Sequence, residues 1–207
     1  MTRWLSDATR ATVPWQRLRL QHGPVTLRPI ERRDQAAWKE VRSRNHTWLR
    51  QWEATRPPGD EAPLVTFPMM VRDLRRQARE GRCLPFAILV DGEFAGQVTV
   101  SNIVAGSARF ASVGYWIDQR HAGRGHVPVA VALAVDHCFF TIGLHRIEIA
   151  IRPENAASLR VVEKLALAEI GYAPRFLHID GEWRDHRIFA VTVEEAPEGL
   201  LSRLRDG

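Results

Sequence analysis

From Val113 to Pro128 the chain reads Val-Gly-Tyr-Trp-Ile-Asp-Gln-Arg-His-Ala-Gly-Arg-Gly-His-Val-Pro, and these residue types in this order could hold an anion. A short apolar run ends at Ile117, Asp118 stops it, and Gly123 and Gly125 follow with Arg120 and Arg124 interleaved. After Pro128 comes Val-Ala-Val-Ala-Leu-Ala-Val-Asp-His-Cys-Phe-Phe, long enough and rich enough in Ala to read as a buried helix. Where a strand passes through a basic turn into a helix N-terminus, unpaired backbone N–H groups and the positive end of the helix dipole converge. Glycines there let phosphate oxygens come close. The competing reading is a tight turn whose arginines are merely solvated, and an isolated glycine pattern does not separate the two.

Elements able to position such a turn can be traced along the chain. Residues 1–15 read as a loose leader, and Gly23 to Ile30 as a first strand. Glu31 to about Arg50 has helical periodicity through Ala36, Ala37 and Val41. The Pro/Gly-rich stretch Arg56 to Pro63 is a loop, and Phe67 to Arg79 a second helix ended by Gly81. Phe86–Val90 and Phe94–Val104 form a hairpin about Asp91-Gly92, with Arg109–Ile117 as the next partner. His145–Ile151 is a strand, Asn155–Leu165 an amphipathic helix, and Gly171–His186 a hairpin turning at Asp180-Gly181. Residues 194–207 read as a surface tail. The order β-αα-βββ-α-β-α-ββ gives an α/β (α+β) fold: a mixed, mostly antiparallel sheet of six to seven strands, flanked by about four helices. No internal repeat or second domain boundary is visible.

Taken together, these residues resemble the GNAT superfamily of acetyl-CoA-dependent N-acetyltransferases, and within it the RimJ/RimL-type ribosomal-protein N-terminal acetyltransferases. The family's pyrophosphate loop is similar to Gly114-Tyr-Trp-Ile-Asp through Gly123-Arg-Gly125, and its Asn-x-x-Ser helix start to Asn155–Ser158. The most specific likeness is the run Ile179-Asp-Gly-Glu-Trp-Arg-Asp-His186. The resemblance covers roughly residues 17–193, so residues 16–193 are expected to form one acetyltransferase domain. Three departures stand out. Ala122 and Val127 replace a polar and a small residue of the loop, and Leu165-Ala166-Leu167 replaces Leu-Gly-Phe. Val127 could crowd the cofactor. A left-handed Ala166 would cost about 1 kcal/mol relative to Gly.

The resemblance implies acetyl-CoA as cosubstrate, with Tyr115, Trp116, Ile117, Gly123, Arg124, Gly125, His126, Val127, Pro128, Asn155 and Ser158 as its binding residues. Asn155 would bond the pantetheine arm and Ser158 donate toward the sulfur, although Asn and Ser at a helix start also serve as caps. Trp48, Trp52 and Glu53 would stand over the acceptor. Strand alternation puts Glu148 on the face of Ala150 and makes it the in-strand candidate for general base. The family's helical tyrosine acid is Val162 here, and Asp185 and His186 are alternative acid–base groups. Three functions compete: acetylation of a protein N-terminus, for example of a ribosomal protein at Ala or Ser; acetylation of a small amine such as an antibiotic or polyamine; and acyl-CoA binding without turnover. An α-amine is the easier nucleophile near neutral pH.

Bulk properties narrow the setting. A chain of 207 residues with 45% hydrophobic and 26% charged residues suits one globular domain with a full core. Its charge, 29 basic minus 24 acidic residues or +5, suits an anionic cofactor but is too diffuse to argue nucleic-acid binding. Cys83 and Cys138 have no metal-ligand spacing, nor do His46, His121, His126, His137 and His145, so no metal is expected. No apolar run approaches a membrane span, and the start lacks a signal-peptide core, so a cytoplasmic monomer or homodimer is expected.

Overall fold

The computed structural model describes residues 15–59 and 65–204. The expected leader therefore lies almost wholly outside the described residues, as does part of the Arg56–Pro63 loop. Eight strands form one sheet: β1 (Leu20–His22), β2 (Val25–Pro29), β3 (Leu84–Val90), β4 (Glu93–Val104), β5 (Phe110–Ile117), β6 (Arg146–Ile151), β7 (Ala168–Ile179) and β8 (Glu182–Thr192). Their order is β1-β2-β3-β4-β5-β6-β8-β7, antiparallel throughout except for the parallel pair β5–β6. The strand beyond the expected seven is β1, a three-residue partner of β2 too short to carry an alternation signal. The helices are α1 (Gln35–Arg44), α2 (His46–Arg50), α3 (Phe67–Arg79), α4 (His126–His137) and α5 (Ala156–Lys164). The first expected helix is thus two, broken at buried Asn45.

Each face of the sheet is covered. Every residue of β3 is buried, as expected of a central strand with layers on both sides. Phe86 and Ile88 pack with α4, whereas Ala87 and Leu89 pack with Phe67 and Val71 of α3. α4 is apolar nearly all round and is buried from Ala130 to Val135, which is where such a helix has to lie. Cys138 follows it in the core, and burial pushes its thiol up to about 12, so it is an inert packing group.

The C-terminal segment departs from the expected surface tail. Leu200 is fully buried and Ala196 nearly so. The Asp136 carboxylate of α4 accepts the N–H groups of Leu200 at 2.6 Å and Leu201 at 3.1 Å. Arg203 donates to the carbonyls of Leu165 and Ala166 at 2.6 and 3.0 Å, satisfying the end of α5. Ala166 itself has φ +49, so the left-handed residue that follows α5 carries the expected strain in place of glycine.

Candidate active site

β5 and β6 pair only from Phe110–Ser112 to Arg146–Glu148. Beyond that point the strands part, while β5 stays paired to β4 as far as Ile117. The edge of β5 from Gly114 to Ile117 therefore has backbone groups with no strand neighbour, facing a cavity of about 500 Å³. β4 approaches β5 closely here: a Cβ on Gly96 would collide with the Trp116 carbonyl. Tyr115, Trp116 and Ile117 form one wall of the cavity. Asn155 and Ser158 of the α5 start form the facing wall, and Trp48 and Trp52 close one end.

Beside Trp48, which packs on the same Ile117 cluster as Ala122 and Val127, lies the turn before α4. Gly123 and Gly125 are left-handed, with φ +74 and +84, and Gly125 is the N-cap residue of α4. Pro128 has no N–H, so the free donors at the helix start are those of His126 and Val127, ahead of the dipole. Gly123, Gly125, His126, Val127 and Pro128 all line the cavity, whereas Arg124 lines an adjoining recess. Val127 stands in the wall, packed partly against the core. His121 also lines the cavity, its ring 5.9 Å from that of His126, and its buried Nδ1 has no hydrogen-bond partner. Burial, His121 and Arg124 together lower the His126 pKa, favouring its neutral form.

Asp118 fixes this turn. Its side chain is fully buried and accepts from Arg44 (Nη2 2.6 Å, Nε 3.1 Å), Asn45 Nδ2 (2.9 Å), and Arg120 (Nε 3.1 Å, N 3.3 Å). Burial alone would raise its pKa, but the bonds from Arg44, Asn45 and Arg120 outweigh it and hold the carboxyl well below the usual range. Asn45 Oδ1 in turn accepts the N–H of Gln119 at 3.0 Å. The break between α1 and α2 is thereby welded to the first residues of the turn.

On the facing wall, Asn155 Oδ1 accepts the N–H of Ser158 at 3.0 Å, so Asn155 caps α5 and also lines the cavity. The Tyr115 hydroxyl stands 3.5 Å from the Ser158 carbonyl, and burial raises its pKa, keeping it protonated. Val162, at the expected tyrosine position, is buried core. Arg152 ties together three lining residues: it donates to the Gln51 carbonyl at 2.7 Å, lies over Trp52 at 5.2 Å and pairs with Glu154 at 3.1 Å.

Besides Arg124, which lines only the adjoining recess, the expected site residues Glu148 and Glu53 are not brought to the cavity. Glu148 is among neither its walls nor its rim; its carboxylate accepts from Arg146 Nε at 2.8 Å. Alternation does put it with Ala150, but on the sheet face opposite the core residues Ile147, Ile149 and Ile151. Glu53 also lies off the lining, paired with Arg42 at 2.5 Å. Arg42 in turn is held between Trp38 and Trp116 at 5.4 and 5.2 Å. Asp185 accepts from the Tyr172 hydroxyl and the Arg175 N–H on the outer hairpin, and His186 is buried beneath it. Conversely, Gln51, His121, Glu154, Arg160 and Lys164 line the cavity without having been singled out for it. Arg160 and Lys164 stand three and seven residues after Ala157, on one helical face.

The model of the acetyltransferase (GNAT) domain family matches residues 25–167. The [ribosomal protein uS5]-alanine N-acetyltransferase of Escherichia coli is 30% identical over 200 residues, covering 92% of this chain and 97% of that one. A probable N-acetyltransferase of Bacillus subtilis, YjcK, is 29% identical over 169 residues, covering 81% and 93%. The solved structure of Mycobacterium smegmatis RimJ in complex with CoA-disulfide superposes with a TM-score of 0.81 at 41% identity, covering 87% of each chain.

Proposed function

The chain belongs to the GNAT acetyltransferase family, and from that premise we propose that it transfers the acetyl group of acetyl-CoA to the N-terminal amine of a protein, a ribosomal protein beginning with Ala or Ser, in the cytoplasm. Acetyl-CoA supplies an activated acetyl thioester. The left-handed glycines and helix-start donors are of a kind to hold its pyrophosphate, and the unpaired edge of β5 offers bonds to its pantetheine arm. In this reading Asn155 uses Oδ1 as the cap and Nδ2 as a donor to the arm. One N–H of the Tyr115–Ile117 edge polarises the acetyl carbonyl. The Ser158 and Tyr115 hydroxyls are the proton donors within reach of a leaving thiolate.

The observation that carries the acceptor assignment is the state of the carboxylates at the tryptophan end. Glu53 is bound to Arg42 and Glu154 to Arg152, and the face of Trp52 is covered by the same Arg152. A polyamine needs a cluster of free carboxylates, and a lysine acceptor needs a strong base. Deprotonating an α-amine at pH 7 costs about 1 kcal/mol, against about 5 kcal/mol for lysine, so a weak base at the cavity suffices. The Escherichia coli relative's uS5-alanine activity supports the same reading. The test is the rate of acetylation of peptides with a free Ala or Ser N-terminus, of the same peptides blocked at the N-terminus but carrying Lys, and of spermidine. The first should react at least about a hundredfold faster, within the roughly 3–4 kcal/mol set by amine pKa; equal rates on the blocked peptide or on spermidine would overturn the assignment.

A further inference from the structure

We propose that Arg42 determines which amines this site accepts: it holds the Glu53 carboxylate, so that an amine carrying further positive charges is refused. This rests on the tryptophan end being the acceptor end. Arg42 does not line the cavity but lies directly behind its wall. It stands four residues after Trp38, on one face of α1. Its guanidinium lies over Trp38 at 5.4 Å and over Trp116, a lining residue, at 5.2 Å. Trp38 in turn meets Phe67 at 5.1 Å, and Trp116 meets Phe94 at 6.1 Å, so both rings are backed. Arg42 Nη2 is 2.5 Å from Glu53 Oε1. The Glu53 backbone is fixed as well, its carbonyl accepting the Asp180 N–H at 3.1 Å. The two side chains are 24% and 32% exposed, whereas Glu154 on Arg152 is 63% exposed, so water and salt screen the Arg42 pair less.

A polyamine that presents one amine to the thioester keeps ammonium groups further along its chain, each charged at neutral pH as a lysine is. Drawn out of bulk water, those groups need carboxylates. Glu53 directly follows Trp52, and its charge is already met by Arg42. An arriving ammonium must either displace a cation held by one carboxylate and two indole faces, or lie beside it and be repelled. A protein N-terminus brings a single positive charge at the reacting nitrogen, and loses it before attack. The occupied carboxylate therefore discriminates between the two acceptor classes without touching the smaller one, which is selection by exclusion. Arginine suits the task better than lysine, because its planar group stacks on both rings while pairing with the acid.

Calorimetry with spermidine, on protein saturated with coenzyme A, tests this without relying on turnover. Arg42→Gln keeps a planar group between the rings and frees the Glu53 charge. It should bind spermidine about tenfold more tightly than the unmodified protein, the scale of one partly exposed charge pair, and a peptide with a free Ala N-terminus should displace the spermidine. Arg42→Gln/Glu53→Gln has the net charge of the unmodified protein and should return to its affinity. Arg42→Lys, which keeps the cation, should stay within about threefold of it. Arg72→Gln removes an exposed charge from α3 instead and should change nothing. Circular dichroism checks the folding of each sample, and Arg42→Met, unbranched and neutral, replaces Arg42→Gln with the same expectation where the latter does not fold. No gain in the neutral variants, an equal gain in Arg72→Gln or Arg42→Lys, a gain that survives Glu53→Gln, or spermidine that the peptide does not displace would overturn the proposal while leaving N-terminal acetylation standing. Rapid acetylation of spermidine by the unmodified protein would remove that reading and this inference together.

Discussion

At the scale of single residues, one side chain can be held by local structure and still face the chemistry. Asn155 accepts the Ser158 N–H as an N-cap and also lines the cavity. Asn155→Ala is expected to cost about 1 kcal/mol of stability from the lost cap, and separately to lower kcat/KM by about 1–3 kcal/mol, the scale of a lost buried hydrogen-bond partner. Melting temperature and kcat/KM measured on one preparation separate the two. A variant that melts earlier but turns over normally is only missing a cap. Glu148 shows the opposite outcome. Its residue type and strand position suited a base, but the spacing of a strand says which face a side chain takes, not which face the cavity opens on. Arg146, two residues away, occupies its carboxylate.

At the scale of elements, the site depends on how α1, α2 and β5 are joined. Asp118 follows β5, and its partners Arg44 and Asn45 stand 74 and 73 residues earlier. No local pattern could reveal that network. What was legible was whatever short-range geometry decides: the strand–turn–helix order around Gly123 and Gly125, the Asp91-Gly92 and Asp180-Gly181 hairpins, and the polar start of α5. What was not legible came from length or distance, as with three-residue β1 and with residues 194–204, whose Pro and Gly content hid the burial of Leu200. The Asp118 network also makes a pH prediction. Its folded pKa lies below the unfolded value of about 3.9, so its contribution to stability is present above that value and is lost as pH falls toward the folded pKa. Asp118→Asn should be less stable at neutral pH by about 3 kcal/mol and should lose less of its stability on acidification. Thermal melts from neutral pH to about pH 3 test this; a variant whose melting temperature falls with acid as steeply as the parent's would show that the carboxylate is not what holds the turn.

At the scale of the whole molecule, the wall over the acceptor end is held from far along the chain. The segment after α2 is tied to the tip of the β7–β8 hairpin. Ala54 bridges Ile179, Thr55 N–H donates to the His178 carbonyl at 2.9 Å, and Asp180 N–H donates to the Glu53 carbonyl at 3.1 Å. The Thr55 hydroxyl accepts the N–H of Gly181 at 2.9 Å and lies 2.9 Å from His178 Nδ1. Within the run Ile179 to His186, the most specific point of family likeness in the sequence, Ile179, Asp180 and Gly181 make the contacts that tie the hairpin tip to the segment after α2. The cofactor end is fixed by Asp118 and the start of α4, and Asn45 at the head of α2 joins it to the tryptophan segment. The hairpin contacts act beyond that joint, at Glu53–Thr55, so the loss of one should be felt first at the acceptor end. Thr55→Val keeps the shape of the side chain and removes the hydroxyl, with its bond to Gly181. It should raise the KM for an N-terminal peptide by about three- to tenfold, the worth of one hydrogen bond of about 1 kcal/mol, while the affinity for acetyl-CoA stays as it was. Initial rates at varied peptide concentration, with calorimetry for the cofactor, resolve the two. If both affinities fall together, the hairpin supports the whole site; if neither moves, the wall stands without it, and the two distant segments touch without consequence for the acceptor.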